Sequence, residues 1–534
     1  MRASLLPGPT PVGRGGQDRS RRSILRLRLN SPAQRFAQLL GQGPSIHDLK
    51  SRSLRSGVQT AAASFSDLVL RLGSTAILAR LISPADFGLI MMVAAVIGIA
   101  DQLKELGLSA ATVQKPAITC EEVTNLFWIN VAVGLALALC LCAVSPLLSA
   151  YYRESRLTPL TCLLSLTFVF GGLTVQHQAL LTRQMRLGRT ALIRLLASVA
   201  STALAVYLAF HDYGYWALLW REVSRGGFLA LGMWVSFPWC PGLPAMRTDV
   251  RPLLKFGTNL TLANISTAVT SGMDRFFLGR AWGPESVGIY RQAFQLITAP
   301  TDQLLSPIYQ VAHPALCMLQ DDPGRFRRYF GMVLCIVSAI TMPLSLFVAV
   351  FAPALTHVLL GDQWLPCAPI IAVLALGTFI RQTSGSTALI LLAGGRSQTH
   401  LALIFSSNLL LIALLFAGAH WGALGVAAAE VAATFLFLFP RLHFTLRGSP
   451  VSFPDFFAAI ARPALASLAM AAVLWGLSAT FPLPSDTLRI GVGAALAPVL
   501  FLGTWSLLPG GRLELTGLFN SVREGFLRKA AASA

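Results

Sequence analysis

Fourteen apolar segments, each long enough to cross a lipid bilayer, constrain the fold of this chain more than any other feature of its sequence. A helix of about 20 mostly apolar residues spans roughly 30 Å of hydrocarbon. Charged residues make up only 12% of the chain, against about 25% in soluble domains. The sequence therefore predicts an all-α integral membrane protein and disfavours a soluble multidomain enzyme. The predicted spans are 57–82, 86–105, 123–148, 157–182, 190–210, 213–237, 253–279, 286–312, 330–352, 366–392, 400–419, 421–440, 455–480 and 487–508.

The basic residues between these spans predict how the chain is oriented. The formal net charge is +19, but its position between apolar spans favours a topological role over binding of nucleic acid. If the N-terminus is cytosolic, the inner loops carry most of the Arg and Lys residues, and both termini are cytoplasmic. The inner set is Lys115, Arg183, Arg186, Arg189, Arg247, Arg251, Lys255, Arg325, Arg327, Arg328, Arg396, Arg441, Arg447, Arg512, Arg523, Arg528 and Lys529, and the outer set is Arg80, Arg153, Arg156, Arg280 and Arg489.

A weak internal repeat with a displacement of 200 residues indicates how the spans are grouped. LARLISPADFG at 78–88 is matched by LGRAWGPESVG at 278–288, and 57–90 shares eight identities with 257–290. Further short matches between the two halves follow in the same order, among them Asp101-Gln102-Leu103 with Asp302-Gln303-Leu304 and Glu222-Val223 with Glu430-Val431. Because each repeat holds six spans, an even number, both bundles enter the membrane in the same direction. Two pseudo-symmetric six-helix bundles are predicted, with two additional C-terminal helices.

The predicted organisation has six parts. A basic, disordered cytosolic tail covers 1–56, since no apolar core of signal-peptide length follows its basic start. The N-terminal six-helix bundle covers 57–237, a cytosolic linker 238–252, the C-terminal six-helix bundle 253–440, the two additional helices 441–508 and a second cytosolic tail 509–534.

Polar residues inside three spans recur at the spacing of one helix face. A charged residue at a membrane-helix centre costs about 2.5–3.5 kcal/mol on insertion scales, so such residues usually face a cavity or a partner. Arg is also more frequent than Asp and Glu within the spans, which favours a water-filled cavity with cationic walls for an anionic substrate. The alternative is a set of buried ion pairs such as Asp67 with Arg71. The three faces are Thr60, Ser64, Asp67, Arg71 and Ser74; Asn264, Thr267, Ser271 and Asp274; and Arg291, Gln295, Thr298 and Asp302.

The motifs of soluble enzymes are missing from the sequence. There is no GxxxxGK[ST] loop, no GxSxG and no HExxH, and the eight Cys residues form no metal-binding pattern. The loops between spans are too short to hold a catalytic domain. These observations favour a secondary transporter over an enzyme.

Four segments resemble the Wzx-type polysaccharide flippases, above all the colanic-acid-type exopolysaccharide exporters of the MOP superfamily. They are LARLISPADFGLI, DRFFLGRAWGPESVGIY, PALCMLQDDPGRFRRYF and LLGDQWLPCAPIIAVLA, and the similarity runs from about residue 57 to 440. The resemblance implies a MATE-like, V-shaped cavity between the bundles in a bacterial inner membrane protein. It also implies the substrate, an oligosaccharide on undecaprenyl diphosphate that is flipped to the periplasmic leaflet for exopolysaccharide or O-antigen synthesis.

Candidate site residues follow from spacing rather than from any motif of the family. The expected substrate-binding residues are Arg71, Arg275, Arg291, Arg381, Arg194 and Arg225. The expected partners of these arginines, or carriers of a coupling ion, are Asp67, Asp274, Asp302 and Glu222. No cofactor or metal is expected, and coupling to protons or sodium is left open. The expected partners are the lipid-linked oligosaccharide, membrane lipids and polysaccharide-assembly proteins such as a polymerase or a chain-length regulator.

Three alternatives remain at this point. A MATE-like, cation-coupled exporter of small molecules would favour acidic and aromatic walls. A membrane polysaccharide polymerase or ligase would need longer outer loops. A scaffold without transport activity would have no need of polar faces within its spans.

Overall fold

The computed structural model describes residues 65–104, 112, 118–244, 251–480 and 484–517, with the backbone alone for 251–267. Helices joined by short turns make up almost all of these residues. The first seven helices are α1 (65–81), α2 (Pro84–Lys104), α3 (Cys120–Tyr152), α4 (Leu157–Leu164), α5 (Leu166–Arg183), α6 (Leu187–Phe210) and α7 (Tyr215–Ser236). The remaining ten are α8 (Arg251–Met318), α9 (Pro323–Val350), α10 (Ala352–Leu360), α11 (Cys367–Gly385), α12 (Ala388–Ala393), α13 (Ser397–Gly418), α14 (Gly422–Leu436), α15 (Leu438–Leu446), α16 (Phe453–Thr480) and α17 (Asp486–Leu507).

All fourteen predicted spans correspond to helices, although several are interrupted. The fourth span is α4 and α5, which meet at Ser165, the tenth is α11 followed by α12, and the twelfth continues from α14 into α15. The seventh and eighth spans form one assigned helix, α8, which breaks at Gly283. Gly283 has φ 77° and ψ −174°, a conformation that side chains with a β-carbon rarely adopt. The predicted break before Pro84 is confirmed, because Ser83 is not helical.

Local sequence chemistry explains where several helices begin. Thr119 and Glu122 form a capping box at the start of α3, in which each side chain accepts a hydrogen bond from the other residue's backbone N–H. Asp322 caps α9, and Pro323 at the first helical position requires no backbone donor there. These caps satisfy N–H groups that have no partner within the helix.

The apolar character of the helices is uneven. Among the described residues, nine helical segments are long and apolar enough to cross a membrane, and one of them, Ser397–Leu446, covers two predicted spans. The long helices α7 and α8 do not meet this criterion. They carry Arg221, Glu222 and Arg225, and Asp274, Arg275 and Arg291, respectively. Both helices thus carry candidate site residues, whereas Arg194 and Arg381 lie on helices that meet the criterion.

The two repeated segments contact each other where α2 and the second half of α8 begin. A β-carbon on Gly88 would lie 1.7 Å from the carbonyl oxygen of Pro284, and one on Gly288 would lie 2.0 Å from that of Pro84. The contact is reciprocal, as expected for two copies of one element related by a pseudo-twofold axis. The repeated leucines Leu78 and Leu278 are both fully buried beside it. We call this region the closed end of the molecule.

Each repeated arginine at the closed end reaches the opposite bundle. Arg80 donates a hydrogen bond of 2.6 Å to the carbonyl oxygen of Val358. Arg280 lies over the ring of Tyr151, 6.0 Å from its centroid. The sequence placed both arginines at outer helix ends, and the structure adds that they bridge the bundles.

The GDQW segment closes the same end from the C-terminal bundle. The indole of Trp364 donates a hydrogen bond of 2.7 Å to the carbonyl oxygen of Ala79, and Gln363 donates to the same oxygen. The Trp364 ring also packs edge-on against Phe87 at 5.2 Å between centroids. The most specific pieces of the sequence resemblance, SPADFG and GDQW, thus contact each other across the bundle interface.

The additional helices α16 and α17 pack on the C-terminal bundle, with α16 along α9. After α17 the chain continues as a helix at 511–517, whose Glu514 accepts a hydrogen bond of 2.8 Å from Arg462. The predicted second tail therefore begins with a packed helix. The predicted N-terminal tail, 1–56, lies outside the described residues, as do 518–534. The other predicted domain boundaries stay predictions.

Candidate functional site

A polar cavity of about 420 Å³ lies between the two bundles. One wall comes from α1 and the other from the second half of α8. The lining residues are Asp67, Leu68, Arg71, Arg291, Gln295, Thr298, Ala299, Asp302, Gln303 and Ser306. Together with the closed end, this cavity gives the V-shaped arrangement predicted for the fold, with the bundles joined at one end and separated towards the other.

The α8 wall of the cavity is a single helix face. Arg291, Gln295, Thr298 and Asp302 recur at i, i+4, i+7 and i+11, and Ser306 extends the series. Amide, hydroxyl and carboxylate groups alternate along it, so hydrogen-bonding groups follow one another over about 22 Å of helix. The structure therefore brings together the predicted faces of α1 and α8. Thr60 and Ser64 lie outside the described residues, as do the side chains of Asn264 and Thr267.

On the α1 wall, Arg71 and Asp67 form an ion pair of 3.3 Å on one helical turn. Their side chains are 60% and 38% exposed, respectively, so water competes for both groups. The hydroxyl of Ser198 on α6 donates a hydrogen bond of 3.4 Å to the other oxygen of Asp67. This pair faces the cavity as an open, weakly held unit.

On the α8 wall, a buried network lies behind Arg291. Asp274 accepts from Arg275 at 3.4 Å and pairs with Arg291 at 3.7 Å. Arg275 also donates a hydrogen bond of 2.6 Å to the carbonyl oxygen of Ser271. Asp274 and Arg275 are both buried, whereas Arg291 is partly exposed to the cavity. Burial of such charges is tolerated when they are paired and hydrogen-bonded.

A second carboxylate, Glu430 on α14, holds the neighbouring arginine. It accepts a hydrogen bond of 2.9 Å from the hydroxyl of Tyr290 and pairs with Arg381 of α11 at 3.4 Å. The ring of Phe294 lies beside both Arg381 and Arg291, with centroid distances of 5.6 and 4.7 Å. Phe294 therefore links the two guanidinium groups through cation–π contacts.

Three of the other candidate residues, Arg194, Arg225 and Glu222, lie apart from the cavity lining. Glu222 binds Arg221 at 3.0 Å and Arg225 at 3.1 Å on α7. Arg194 on α6 is exposed. Asp302 lies in the cavity, but its hydrogen-bond donor is the amide of Gln382 at 3.0 Å rather than an arginine. No group of three His, Cys, Asp or Glu side chains suited to a metal occurs within the described ranges.

The charge balance around the cavity differs from the predicted cationic walls. Four arginines surround it or lie directly behind it: Arg71, Arg275, Arg291 and Arg381. Four carboxylates accompany them within the described part of the chain: Asp67, Asp274, Asp302 and Glu430. The formal charge of these eight residues is zero. The difference arises because Glu430, which marks the internal repeat in the sequence, is the fourth of these carboxylates.

Sequence reasoning missed Glu430, Tyr290, Phe294 and Gln382. A signal for Glu430 was present, since it is the one charged residue in the otherwise apolar α14. The rule that singled out Arg381 would have singled out Glu430 as well. The role of Phe294 had no sequence signal, because its contacts depend on where α8 and α11 meet.

Two parallel six-helix bundles, joined at one end and separated by a polar cavity at the other, define a multi-pass membrane transporter of the flippase type. The solved structure described as "Lipid II flippase MurJ, inward closed conformation" has this fold, with a TM-score of 0.69 and 14% identity over 84% of this chain and 98% of that one. An inward-facing multidrug resistance transporter of the MATE family in the MOP superfamily follows with a TM-score of 0.56 and 15% identity over 76% of this chain and 98% of that one.

The model of the family described as "Polysaccharide biosynthesis protein" matches residues 77–369, more than half of the chain, and the chain belongs to this family. It is 26% identical over 381 residues to "Lipopolysaccharide biosynthesis protein WzxC" of Escherichia coli K12, covering 71% of this chain and 77% of the relative. It is 24% identical over 410 residues to "Teichuronic acid biosynthesis protein TuaB" of Bacillus subtilis 168, covering 74% and 84%. The predicted resemblance to polysaccharide flippases is confirmed.

Proposed function

We propose that this protein flips an oligosaccharide carried on undecaprenyl diphosphate across the bacterial inner membrane, for synthesis of an exopolysaccharide or a lipopolysaccharide. The names of its relatives place them in polysaccharide biosynthesis. A lipid-linked sugar diphosphate has an anionic head, a polar glycan and a long apolar tail. The first two suit a polar cavity, and the tail remains in lipid at the gap between the bundles.

The arginines are the proposed site of the diphosphate. The planar guanidinium group donates two parallel hydrogen bonds to a phosphate and stays charged at every physiological pH. Arg71 and Arg291 lie on opposite walls of the cavity, one in each bundle. A ligand held by both would couple the two bundles. The side chains of Gln295, Thr298 and Ser306 continue from Arg291 along the α8 wall, and they supply donors and acceptors for sugar hydroxyl groups.

Transport in this proposal proceeds by alternating access. In the described state, the bundles are joined at the closed end, which carries few basic residues. The cavity lies towards the opposite end, where the inner set of Arg and Lys residues is predicted. The positive-inside rule makes that end cytoplasmic. The substrate would enter from the cytoplasmic leaflet, and separation of the closed end would release it on the other side.

A coupled proton or sodium ion would bind at the exposed carboxylates Asp67 and Asp302. In the cell, a polymerase would receive the flipped unit.

The observation that carries this proposal is the placement of Arg71 and Arg291 on facing walls of one cavity. The test is flipping of a fluorescent undecaprenyl-diphosphate oligosaccharide by purified protein in vesicles. Arg291→Ala and Arg71→Ala should each slow flipping by on the order of tenfold, equivalent to an increase of about 1.4 kcal/mol in the activation free energy. Lysine at either position should restore only part of the rate because it lacks the planar fork.

Arg489→Ala is the matched control, since Arg489 lies on α17, away from the cavity lining, and pairs with Asp486. Its rate should equal that of the unmodified protein. If both cavity variants flipped the substrate at the rate of the unmodified protein, with equal amounts of protein inserted, the assignment of Arg71 and Arg291 to the diphosphate would be wrong.

A further inference from the structure

The neutral charge balance around the cavity imposes a condition on any anionic ligand. Each of Arg71, Arg291 and Arg381 already has a carboxylate partner. A phosphate group that binds to one of these arginines must therefore compete with a residue of the protein. Binding becomes an exchange of one anion for another, rather than the filling of a cationic pocket.

Two carboxylates, the buried Asp274 and the partly buried Glu430, have the same arrangement of partners. Asp274 is held by Arg275, whose guanidinium is itself fixed by Ser271, and Glu430 is held by the fully buried Tyr290. Each also pairs with one arginine that is open to a pocket: Asp274 with Arg291 at 3.7 Å and Glu430 with Arg381 at 3.4 Å.

If Arg291 or Arg381 moved away, its carboxylate would keep the partner behind it. The cost of an unpaired buried charge, which makes the loss of one partner from a buried ion pair expensive, is therefore reduced. For Glu430, the distances agree with retention of Tyr290 and loss of Arg381, since the contact with Tyr290 is the shorter of the two. Both carboxylates are built to lose one partner and retain the other.

Building on the proposed function, we propose that Asp274 and Glu430 are resident counterions, which the diphosphate displaces from Arg291 and Arg381 and which retake these arginines when the substrate leaves. Their competition lowers affinity and speeds release. Without them, the two guanidinium groups would hold the diphosphate more tightly, and the transporter would be slowed at release. Phe294 keeps both guanidinium groups beside one ring during the exchange.

The test measures binding and flipping separately for Glu430→Gln and Asp274→Asn. Binding of radiolabelled undecaprenyl diphosphate to protein in lipid nanodiscs gives Kd, and the vesicle assay gives the flipping rate. Each variant should bind more tightly, by on the order of tenfold, and should flip more slowly. Weaker or unchanged binding in both variants would overturn the proposal, since an ion pair that only stabilises the fold gives no gain in affinity.

A third variant predicts the opposite sign and removes only one hydroxyl group. Tyr290→Phe frees the second oxygen of Glu430 to accept from Arg381, so the diphosphate should bind several-fold more weakly. This variant carries the test if the carboxylate variants do not accumulate, and unchanged or tighter binding would then contradict the proposal. The matched control is Glu514→Gln, which removes an Arg–Glu pair remote from the cavity and should leave Kd and flipping unchanged.

The outcomes separate this inference from the proposed function. If Arg291→Ala and Arg381→Ala abolish binding while Glu430→Gln and Asp274→Asn leave it unchanged, the diphosphate site stands and the counterion exchange fails. If the arginine variants bind undecaprenyl diphosphate as the unmodified protein does, the proposed function fails first.

Discussion

The closed end and the cavity share one helix, α8, which meets α2 at the closed end and faces α1 across the cavity, yet the two regions differ in packing and polarity. At the closed end, Gly88 and Gly288 allow backbone to meet backbone, and the nearby Leu78, Leu278 and Val287 are fully buried. About 10 Å further along α8, from Gly288 to Gln295, the facing residues are polar and separated by open volume.

This difference explains how one interface can hold the two bundles together at one end and leave room for a ligand at the other. Lipid is as apolar as a leucine side chain, so membrane helices associate through close packing of small residues and through interhelical hydrogen bonds. The closed end uses both, with the two glycines at the crossing and the donors of Arg80, Gln363 and Trp364 around it. In the cavity half, the hydrogen bonds of Asp67 and Asp302 run to helices of their own bundle, and Arg71 and Arg291 face open volume.

The largest expected effect comes from filling the glycine crossing. Gly88→Ala places a β-carbon 1.7 Å from the carbonyl oxygen of Pro284, and backbone on both sides cannot yield as a side chain would. The cost should exceed the roughly 1–3 kcal/mol typical of overpacked cores. Loss of folded protein, measured by thermal unfolding in detergent, is the expected result.

Gly98→Ala in the same helix is the control, because a β-carbon there meets nothing within 4 Å. It should be neutral or stabilising, by up to about 1 kcal/mol, since Ala is the better helix former. Equal stability of the Gly88 and Gly98 variants would show that the bundles do not meet as described.

A smaller effect is expected from Trp364→Phe, which keeps the ring against Phe87 but removes the donor to Ala79. The loss of one hydrogen bond, about 1 kcal/mol, should favour the state with the closed end separated over the state with it joined by about fivefold. Distances between spin labels on α2 and α8 measure this shift.

Trp282→Phe removes an equivalent indole hydrogen bond of 2.7 Å, to the carbonyl oxygen of Ala419, within one bundle. It should leave the spin-label distances between the bundles unchanged. A comparable shift in both variants would mean that Trp364 contributes general stability rather than a contact between the bundles.

The smallest effect is expected on the cavity side, from Phe294→Leu. The change removes the cation–π contacts to Arg291 and Arg381, each worth about 0.5–1 kcal/mol or more when shielded from water. Binding of undecaprenyl diphosphate should weaken by a few-fold, and Phe294→Tyr should retain it. Phe435→Leu, an exposed residue of α14, should have no effect, and weakening there by the same factor would point to a general change in the bundle.

The sequence was informative wherever a local pattern determines a structural feature, such as the length of a span or the face of a helix. The apolar lengths predicted all fourteen spans, and the recurrence of Pro84 and Gly88 at Pro284 and Gly288 predicted two related bundles. The 3.6-residue periodicity of Arg291, Gln295, Thr298 and Asp302 predicted a common wall. Each of these signals lies within one helix or in a pair of repeats.

Features that depend on contacts between distant helices could not be predicted. Asp302 accepts from Gln382 across 80 residues of sequence, and nothing local distinguishes this partner from an arginine. That Glu430 joins the arginines depends on the packing of α14 beside α8 and α11, although its place as the one charged residue of α14 was a signal within the sequence. The break between α11 and α12 lies in a segment without proline, where Gly385 and the serines beside it are the only local signal.

The break at Gly283 has a consequence for biogenesis. Asp274 and Arg291 are 17 residues apart, which would be about 25 Å along a straight helix, yet their side chains pair at 3.7 Å because the chain folds back at Gly283. The charges therefore neutralise one another inside a single hairpin. A translocon that receives this hairpin inserts Asp274, Arg275 and Arg291 together, and the penalty of about 2.5–3.5 kcal/mol for each isolated charge is reduced. The ion pairs of Asp274 can thus form during synthesis, before the last six spans, which carry Arg381 and Glu430, have left the ribosome.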